Sequence, residues 1–316
     1  MHILVTGGAG FIGSHVIIEL LKRGHTVVNI DSMNEYYDPA LKRARLARFK
    51  DDITNYEIDI VDKEAVEKVF KEHSFDVVCH LAAQAGVRYS IENPFVYGQT
   101  NYIGTLNILE YAKQHNVPHI VMASTSSVYG TNEKMPFSED DRVDTPISIY
   151  AASKRAGELL AHSYYHLFKM NITILRFFTV YGPWGRPDMA LFLFTDAILN
   201  DRPIKVFNHG KMRRDFTYID DTVSGIVSAI HKEPHGFSTY HLGNGTPVPL
   251  MEYIETIEET LGKKAVMEML PMQPGDVAET SADITKAEKE LGYKPQIGVQ
   301  EGIPRFIEWY RSYYGK

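Results

Sequence analysis

The sequence has little cysteine and lacks a long apolar run. Its single cysteine, Cys79, has no partner for an internal disulfide and lies in the apolar run 77–81, which predicts a small buried side chain. No stretch of about 18 consecutive apolar residues is present. The first residues predict a β-strand and carry none of the features of a secretory signal. We therefore expect a cytoplasmic protein that does not cross a membrane.

The chain also lacks an excess of positive charge. Its formal net charge is −7, so no overall field attracts nucleic acid or an anionic membrane, and neither is expected as a partner. An anionic substrate would have to be held by individual basic side chains. No metal site is expected: His162 and His166 have the i,i+4 spacing of a zinc pair but lack the glutamate of that motif and a third ligand, and we expect both to face solvent.

What is present is a regular alternation of strands and helices in the first half of the chain. Short β-branched runs predict strands at 2–6, 26–30, 55–58, 76–81, 118–123 and 172–176. Longer periodic segments predict helices that include 11–22, 63–72 and 97–114, with Gly24 and Asn116 as C-terminal stops. This alternation is typical of a doubly wound parallel α/β sheet of the Rossmann type.

The composition changes after Tyr181. A loop of Gly, Pro and Trp over 182–187 is followed by shorter elements, which indicates a smaller mixed α/β lobe. We expect residues 1–178 to form a dinucleotide-binding domain and 179–316 a substrate-binding lobe, although the chain is free to cross back between them. Ligands of such sheets bind in a cleft at the carboxyl ends of the strands.

Three glycines predict a nucleotide site. Gly7, Gly10 and Gly13 form a GxxGxxG array directly after the first strand and at the start of a helix. The missing side chains let the main chain approach a pyrophosphate at the positive end of that helix. Asp31 ends the second strand, where a carboxylate accepts hydrogen bonds from the adenosine ribose and repels a 2′-phosphate, which favours NAD over NADP. An ordinary glycine-rich turn, and Asp31 as a helix or turn cap, remain open.

The chemistry is predicted from Tyr150 and Lys154. These residues are four apart and share one face of a helix. A tyrosine with a pKa of about 10 is scarcely ionised at neutral pH, but a neighbouring cation and a positive nicotinamide both lower that pKa, so Tyr150 is predicted to be a general base. The hydroxyl run 124–127 ends an apolar strand, where it would meet a sugar hydroxyl. By itself such a pair also arises by chance, and such a run also caps turns.

Motifs in this order resemble the extended short-chain dehydrogenase/reductases that act on nucleotide sugars, and within them the UDP-glucuronate 4-epimerases. They cover nearly the whole chain: TGGAGFIGSH, Asp31, HLAAQAGVRYS, ASTSSVYG, YAASK, RFFTVYGPWGRPDMALF, RRDFTYIDD and QPGDV. The resemblance implies a catalytic triad of Thr125, Tyr150 and Lys154. The cofactor set that we expect is Gly7, Gly10, Phe11, Ile12, Gly13, Asp31, Asn34, Asp59, Ile60, Leu81, Ala82, Ala83, Gln84, Asn101, Ser124, Tyr150 and Lys154.

Departures from related families narrow the expected reaction. Dehydratases of this type carry an Asp-Glu pair at the positions of Ser126 and Ser127, and decarboxylases carry a glutamate at Ser127. Without such a carboxylate, the chemistry that remains is reversible oxidation at one carbon. Thr179 stands where several hexose epimerases have asparagine, and Gln273 where many have arginine, which argues against a UDP-glucose 4-epimerase.

Basic side chains are the expected substrate contacts. By resemblance, Arg214 matches a diphosphate-binding arginine and Asp276 a residue near the nucleotide ribose. Arg186 is placed to donate two hydrogen bonds to a sugar carboxylate, and Arg88 is a second candidate for this role. Either arginine could instead pair with an acidic side chain of the protein, and that alternative is open. The full substrate set that we expect is Arg88, Thr125, Ser126, Ser127, Thr179, Arg186, Arg214 and Asp276.

The resemblance thus implies NAD-dependent C4 epimerisation of UDP-glucuronate to UDP-galacturonate through a 4-keto sugar. A homodimer through the helix near 97–114 and the helix that carries Tyr164, Tyr165 and Phe168 is implied by the resemblance only. The alternatives are a 4-epimerase of a neutral UDP-hexose, a UDP-uronate decarboxylase and a non-catalytic NAD-binding protein of the same fold.

Overall fold

A seven-stranded parallel sheet forms the centre of the structure, a computed structural model that describes all 316 residues. The thirteen strands of the chain are β1 (His2–Thr6), β2 (Thr26–Asp31), β3 (Thr54–Glu57), β4 (Val77–His80), β5 (His119–Thr125), β6 (Ile172–Phe177), β7 (Thr179–Tyr181), β8 (Ile204–Val206), β9 (Arg213–Arg214), β10 (Phe216–Tyr218), β11 (Phe237–Leu242), β12 (Val248–Pro249) and β13 (Met267–Met269). The sheet has the order β11-β6-β5-β4-β1-β2-β3, and the other strands form two-stranded pairs. The predicted fold class is confirmed.

Helices cover both faces of the sheet. The twelve helices are α1 (Phe11–Lys22), α2 (Pro39–Leu46), α3 (Lys63–Glu72), α4 (Val87–Glu92), α5 (Pro94–Tyr97), α6 (Thr105–Gln114), α7 (Ile149–Phe168), α8 (Ala190–Leu199), α9 (Ile219–His231), α10 (Leu250–Leu261), α11 (Thr285–Leu291) and α12 (Val299–Tyr314). None of them has the length and apolar character needed to span a bilayer. The predicted stops are confirmed, since Gly24 and Asn116 have left-handed φ angles of 76° and 53°.

Alternating side chains of the strands fill two hydrophobic cores. Ile3 and Val5 of β1 point into the larger core, which α1 and the second lobe share, whereas Leu4 points into the smaller core beneath α3, α6 and α7. Cys79 is buried in the larger core, as predicted. Because apolar residues of the second lobe belong to the same core as the sheet, the two parts of the chain pack as one body.

The seventh strand, β11, was missed by the sequence analysis. It comes from the second half of the chain and pairs with β6 from Phe237↔Ile172 to Leu242↔Phe177. As an edge strand it has only one neighbour, and its sequence, FSTYHL, mixes polar and apolar residues where the central strands have continuous apolar runs. Its sequence therefore lacks the continuous apolar run that marks the central strands.

Candidate active site

A cleft of about 250 Å³ opens where the parallel strands of the sheet end. It brings together residues at the ends of six strands of the sheet, from α1, α2 and α7, and from the 182–189 loop. The predicted site residues that line it are Gly7, Gly10, Phe11, Ile12, Gly13, Asp31, Asn34, Asp59, Ile60, Leu81, Ala82, Ala83, Gln84, Ser124, Thr125, Tyr150, Lys154 and Arg186. The cleft thus unites most of the positions that the sequence singled out, although they lie far apart along the chain.

The glycine loop after β1 has no space for side chains. A Cβ on Gly13 would lie 2.2 Å from the carbonyl oxygen of Gly7, and one on Gly7, whose φ is +79°, would lie 2.8 Å from the amide of Ala82. Gly10 precedes α1 without a side-chain cap, and the first amides of a helix have no acceptor within it. The main chain at this helix end therefore fits a diphosphate group.

Asp31 has the capping role that the sequence left open, and it also lines the cleft. Its carboxylate accepts hydrogen bonds from the amides of Ala9 at 3.0 Å and Met33 at 2.9 Å. Burial raises the pKa of Asp31, while those amides and the Lys42 ammonium act in the opposite direction. The carboxylate thus joins the glycine loop to the end of β2.

Lys42 lines the same end of the cleft and was missed by the sequence analysis. Its ammonium donates to the carbonyl oxygen and to the side-chain oxygen of Asn34, both at 2.7 Å. A lysine on a charged helix such as α2 ordinarily faces solvent, so the sequence carries no signal of its burial.

Tyr150 and Lys154 lie on successive turns of α7 and face the cleft. The helix begins after Ser148, whose hydroxyl accepts a hydrogen bond from the amide of Ala151. Burial raises the pKa of Tyr150, and the positive charge of Arg186 and the hydroxyl of Thr125 oppose this effect. Burial lowers the pKa of Lys154 to about 8.

The predicted lowering of the pKa of Tyr150 by Lys154 together with a positive nicotinamide stays a prediction. Desolvation of the phenolate outweighs the positive charge available, and the cation that acts on the phenol is Arg186. Sequence spacing placed Lys154 on the correct face of the helix but carried no information about the burial of either group.

The hydroxyl run at the end of β5 divides into two parts. Ser124 and Thr125 line the cleft, whereas Ser126 and Ser127 form the 3₁₀ turn that follows and do not. Thr125 accepts a hydrogen bond from the amide of Ser127 at 3.2 Å, so the turn-capping role is also present. Ser124 donates to Glu158 at 2.5 Å.

A buried ion pair behind the cleft fixes α7 against the sheet. Both oxygens of Glu158 accept hydrogen bonds from Arg176 of β6 at 2.9 Å, and the two side chains are almost fully buried. Glu158 lies one helical turn beyond Lys154, so the pair sets the distance of the Tyr150–Lys154 face from the sheet.

Asn101 does not line the cleft, contrary to expectation. It lies in a π-helical turn, Gly98–Gly104, between α5 and α6. Its amide accepts from the main-chain amide of Gln84 at 2.8 Å and donates to the carbonyl of Gln84 at 3.0 Å and to the hydroxyl of Ser153 at 2.8 Å. Asn101 thus joins the loop after β4 to α7 from behind.

Arg186 lines the cleft with its bidentate edge already paired. Its Nε and Nη2 donate to the two oxygens of Asp188 at 3.0 and 2.5 Å, and the hydroxyl of Tyr36 donates to the same carboxylate at 3.0 Å. Although burial alone would raise the pKa of Asp188, Arg186 holds it below its usual value. Arg186 is therefore paired with an acidic side chain, the alternative that the sequence left open. The acid is the partly buried Asp188 beside the cleft. No spacing rule in the sequence indicates that Tyr36 belongs to this group.

The remaining expected substrate residues lie outside the cleft. Arg214 donates to Asp276 at 2.7 Å, so these two predicted residues contact one another in the second lobe. Arg88 is exposed and stacks over the ring of Phe207, with 5.1 Å from the guanidinium carbon to the ring centroid. Thr179 lines an adjacent cavity of about 30 Å³ that Arg186 also borders. His162 and His166 are both exposed, as predicted.

Arg45 connects the glycine loop to the loop that carries Arg186. It is fully buried and donates to the carbonyl of Ala9 at 3.2 Å, to those of Trp184 at 2.7 Å and Gly185 at 3.0 Å, and to the hydroxyl of Tyr37 at 2.6 Å. The partners are neutral oxygens, so this arginine acts as a five-donor connector between main-chain segments.

Comparisons with known proteins identify chains that are similar over their full length. The sequence model of the GDP-mannose 4,6 dehydratase family matches residues 4–306. A probable UDP-glucuronate 4-epimerase of Rhizobium meliloti (strain 1021) is 47% identical over 334 residues, which cover 99% of this chain and 98% of that protein. The crystal structure of UDP-glucuronic acid 4-epimerase from Bacillus cereus in complex with UDP-glucuronic acid and NAD is 36% identical with a TM-score of 0.94, and covers 99% of this chain and 100% of that one. UDP-glucose 4-epimerase from Thermotoga maritima, with UDP-glucose, is 31% identical with a TM-score of 0.90 over 99% of this chain and 100% of that one.

Proposed function

Because this chain belongs to the NAD-dependent epimerase/dehydratase family, we propose that it is an isomerase that interconverts UDP-glucuronate and UDP-galacturonate at C4 of the sugar. The observation that carries the proposal is the meeting of Thr125, Tyr150 and Lys154 in one cleft with the glycine loop. No carboxylate stands at Ser126 or Ser127, so the acid and base of a dehydration or decarboxylation are missing there.

The binding roles follow from the chemistry of each group. The glycine loop and the first amides of α1 would hold the diphosphate of NAD, and Asp31 would accept hydrogen bonds from the adenosine ribose. We propose that residues 1–178 hold the cofactor and that 179–316 hold the nucleotide sugar, with β11 returning to the sheet. In that lobe Arg214, with Asp276 beside it, would contact the nucleotide, and Thr179 would contact the sugar carboxylate together with Ser126 and Ser127 of the turn after β5.

The proton and the sugar are handled by the residues of the cleft. When bound, NAD supplies a hydride acceptor and donor for C4 and a positive charge beside the phenol. Tyr150 would take the proton of the C4 hydroxyl, with Thr125 orienting that hydroxyl, and would return the proton after the 4-keto sugar has turned over. Because burial raises the pKa of Tyr150, added positive charge is required for the phenol to act as a base.

The test is product analysis with a panel of UDP-sugars. The purified protein is incubated with UDP-glucuronate, UDP-galacturonate or UDP-glucose, and the products are identified by NMR. We expect UDP-galacturonate from UDP-glucuronate and the reverse, with no net change in NAD. A UDP-pentose product would indicate a decarboxylase, and bound cofactor without turnover would indicate a binding protein.

One observation favours a second candidate, a 4-epimerase of neutral UDP-hexoses. The bidentate edge of Arg186 is occupied by Asp188, so the cleft presents an internally neutralised pair where a free cation would suit a uronate best. Turnover of UDP-glucose at a rate equal to that of UDP-glucuronate would support this candidate.

Replacement of Asp31 with alanine is expected to lower the affinity for NAD about tenfold or more, because a charge-assisted hydrogen bond contributes about 1.5–3 kcal/mol. The loss for NADP should be smaller, since the carboxylate repels the 2′-phosphate. Calorimetric titration of both cofactors measures the ratio. Asp31 also holds the amides of Ala9 and Met33, and loosening of that loop would weaken both cofactors alike. Equal losses of affinity for NAD and NADP would therefore mean that Asp31 does not discriminate between the two cofactors.

We also propose that the protein is a homodimer. Large apolar side chains are exposed on α4, α5 and α7, which pack against one another: Phe95 is 85% exposed, Leu167 67%, Ile91 54% and Leu159 53%. An exposed apolar surface of this kind ordinarily marks an interface, and a twofold axis buries the same surface of both subunits.

A charged double variant tests the dimer. Phe95→Glu combined with Leu159→Glu is expected to halve the mass measured by light scattering, because two buried carboxylates per subunit would face apolar surface. The exposed Lys50→Glu variant is the control and should leave the mass unchanged. A parent protein that is monomeric at micromolar concentration would contradict the proposal.

A further inference from the structure

The Arg186–Asp188 pair differs from a surface ion pair in two respects. The side chains are 23% and 30% exposed, and the contact uses Nε and Nη2, which is the edge of a guanidinium that forms two parallel hydrogen bonds with a carboxylate. The acid is two residues further along the same loop, so the pair forms within residues 182–189.

Tyr36 fixes the pair from a different part of the chain. Its hydroxyl donates to the Asp188 oxygen that also accepts from Arg186 Nη2, and Tyr36 itself lines the cleft. Asp188 is thus held by three hydrogen bonds from two side chains. The carboxylate is ordered by two side chains that lie far apart in the sequence, and it occupies the Nε–Nη2 edge of Arg186.

This arrangement matters for a reaction in which the sugar must move. C4 epimerisation removes a hydride from one face of C4 and returns it to the other, so the keto sugar has to turn in the site between the two steps. An arginine whose charge is not balanced by an acid would hold a uronate strongly in one orientation. With Asp188 on the Nε–Nη2 edge, both Nη1 protons and one Nη2 proton of Arg186 remain for the sugar, but the charge behind them is already paired.

We propose that Asp188 is a specificity-determining residue that occupies the Nε–Nη2 edge of Arg186 and balances its charge, so that a sugar carboxylate is held weakly enough to turn over between the half-reactions. The inference rests on the proposed function and deepens it. Arg186 then supplies positive charge for the recognition of a uronate. Asp188 limits the strength and the directionality of the interaction between Arg186 and the sugar carboxylate.

The test is Asp188→Asn, which keeps the size of the side chain and its contact with Tyr36 but removes the charge. We expect the Kd for UDP-glucuronate, measured by calorimetry on the NAD-loaded protein, to fall at least fivefold, while the Kd for UDP-glucose stays within twofold. During turnover kcat and KM for UDP-glucuronate should both fall, and NADH absorbance should rise because the keto sugar stays in its first orientation. Asp188→Glu should restore much of the parental behaviour.

Two further variants separate this effect from damage to the fold. Asp51→Asn removes one negative charge from an exposed turn and should leave both Kd values unchanged. Tyr36→Phe removes one hydrogen bond from Asp188 and should tighten UDP-glucuronate by a smaller factor. If Asp188→Asn fails to retain NAD, the Tyr36→Phe result decides: an equal change for both sugars overturns the proposal.

Other outcomes are equally decisive. UDP-glucuronate that binds Asp188→Asn no more tightly than the parent, or more weakly, overturns the role of Asp188. The binding measurements do not require turnover, so they remain informative if the parent fails to epimerise UDP-glucuronate, which is the result that would overturn the proposed function itself.

Discussion

Replacement of Tyr150 with phenylalanine is expected to reduce C4 epimerisation to below about 1% of the parental rate, because general-base catalysis contributes about 10²–10⁴-fold. Only the oxygen that accepts the proton is lost. The ring would still pack beside Tyr97, whose ring centroid lies 6.1 Å away, so bound NAD should be retained. Turnover is measured by NMR of the UDP-sugars, and cofactor content by absorbance after denaturation.

The matched control for this variant is Tyr313→Phe. The ring of Tyr313 packs against Trp184 and Trp309, and its hydroxyl makes no hydrogen bond in the structure. This control should keep parental turnover. Activity of Tyr150→Phe above about 1% would assign the base to another group, and loss of NAD from that variant would mean that the hydroxyl has a binding role instead.

The second large effect is expected from Arg186→Ala. The substitution leaves the Asp188 carboxylate without its cation, and breaking a buried pair in this way costs about 3–5 kcal/mol, or more than a hundredfold in an equilibrium constant. Because the pair is partly exposed, the lower end of that range applies. A uronate would then meet a carboxylate where the parent presents a neutralised pair, so kcat/KM for UDP-glucuronate should fall by at least a hundredfold.

The residual chemistry of this variant should also change. Oxidation at C4 of a uronic acid creates a keto group β to the C6 carboxylate, and such acids lose carbon dioxide when the breaking bond lies perpendicular to the carbonyl plane. In that step the C5–C6 bond breaks, its electron pair passes into the enol, and carbon dioxide leaves. The enol then takes a proton at C5. With fewer contacts to restrain the carboxylate, we expect UDP-4-keto-pentose by mass spectrometry together with an equal amount of accumulated NADH, whereas return of the hydride would give a UDP-pentose and regenerate NAD.

A double variant separates the two causes. Arg186→Ala combined with Asp188→Ala removes both charges, and it should recover part of the binding lost in the single variant if the unpaired carboxylate is responsible. The double variant should still decarboxylate the keto sugar, because Arg186 is absent from it as well. Parental epimerisation by Arg186→Ala alone would contradict both the role of Arg186 and the assignment of a uronate substrate.

Local patterns explain which features the sequence could predict. The glycine array, Asp31 and the Tyr150–Lys154 spacing are each defined within one strand, turn or helix, and all of these residues line the cleft. The edge strand β11 was missed because its sequence, FSTYHL, mixes polar and apolar residues and carries no apolar run. Lys42 was missed for the related reason that burial of a charged residue is decided by tertiary packing.

Electrostatics was the least predictable part of the site. The sequence places a cation one helical turn from Tyr150, but the sign of the pKa shift of the phenol depends on burial, which the sequence does not contain. In the same way, Arg186 is recognisable as a candidate carboxylate ligand from its loop, whereas its pairing with Asp188 and the approach of Tyr36 depend on contacts between distant segments.

The bridge made by Arg45 has a consequence for the energetics of the two ligands. Its guanidinium donates to the loop at α1 and to the loop before Arg186, so neither loop can move without straining hydrogen bonds to the other. A shift of the first loop on binding one ligand therefore changes the free energy of binding at the second, and thermodynamic linkage requires the same coupling factor in the opposite direction. The dinucleotide and the sugar nucleotide are thereby expected to bind cooperatively, although they need not touch.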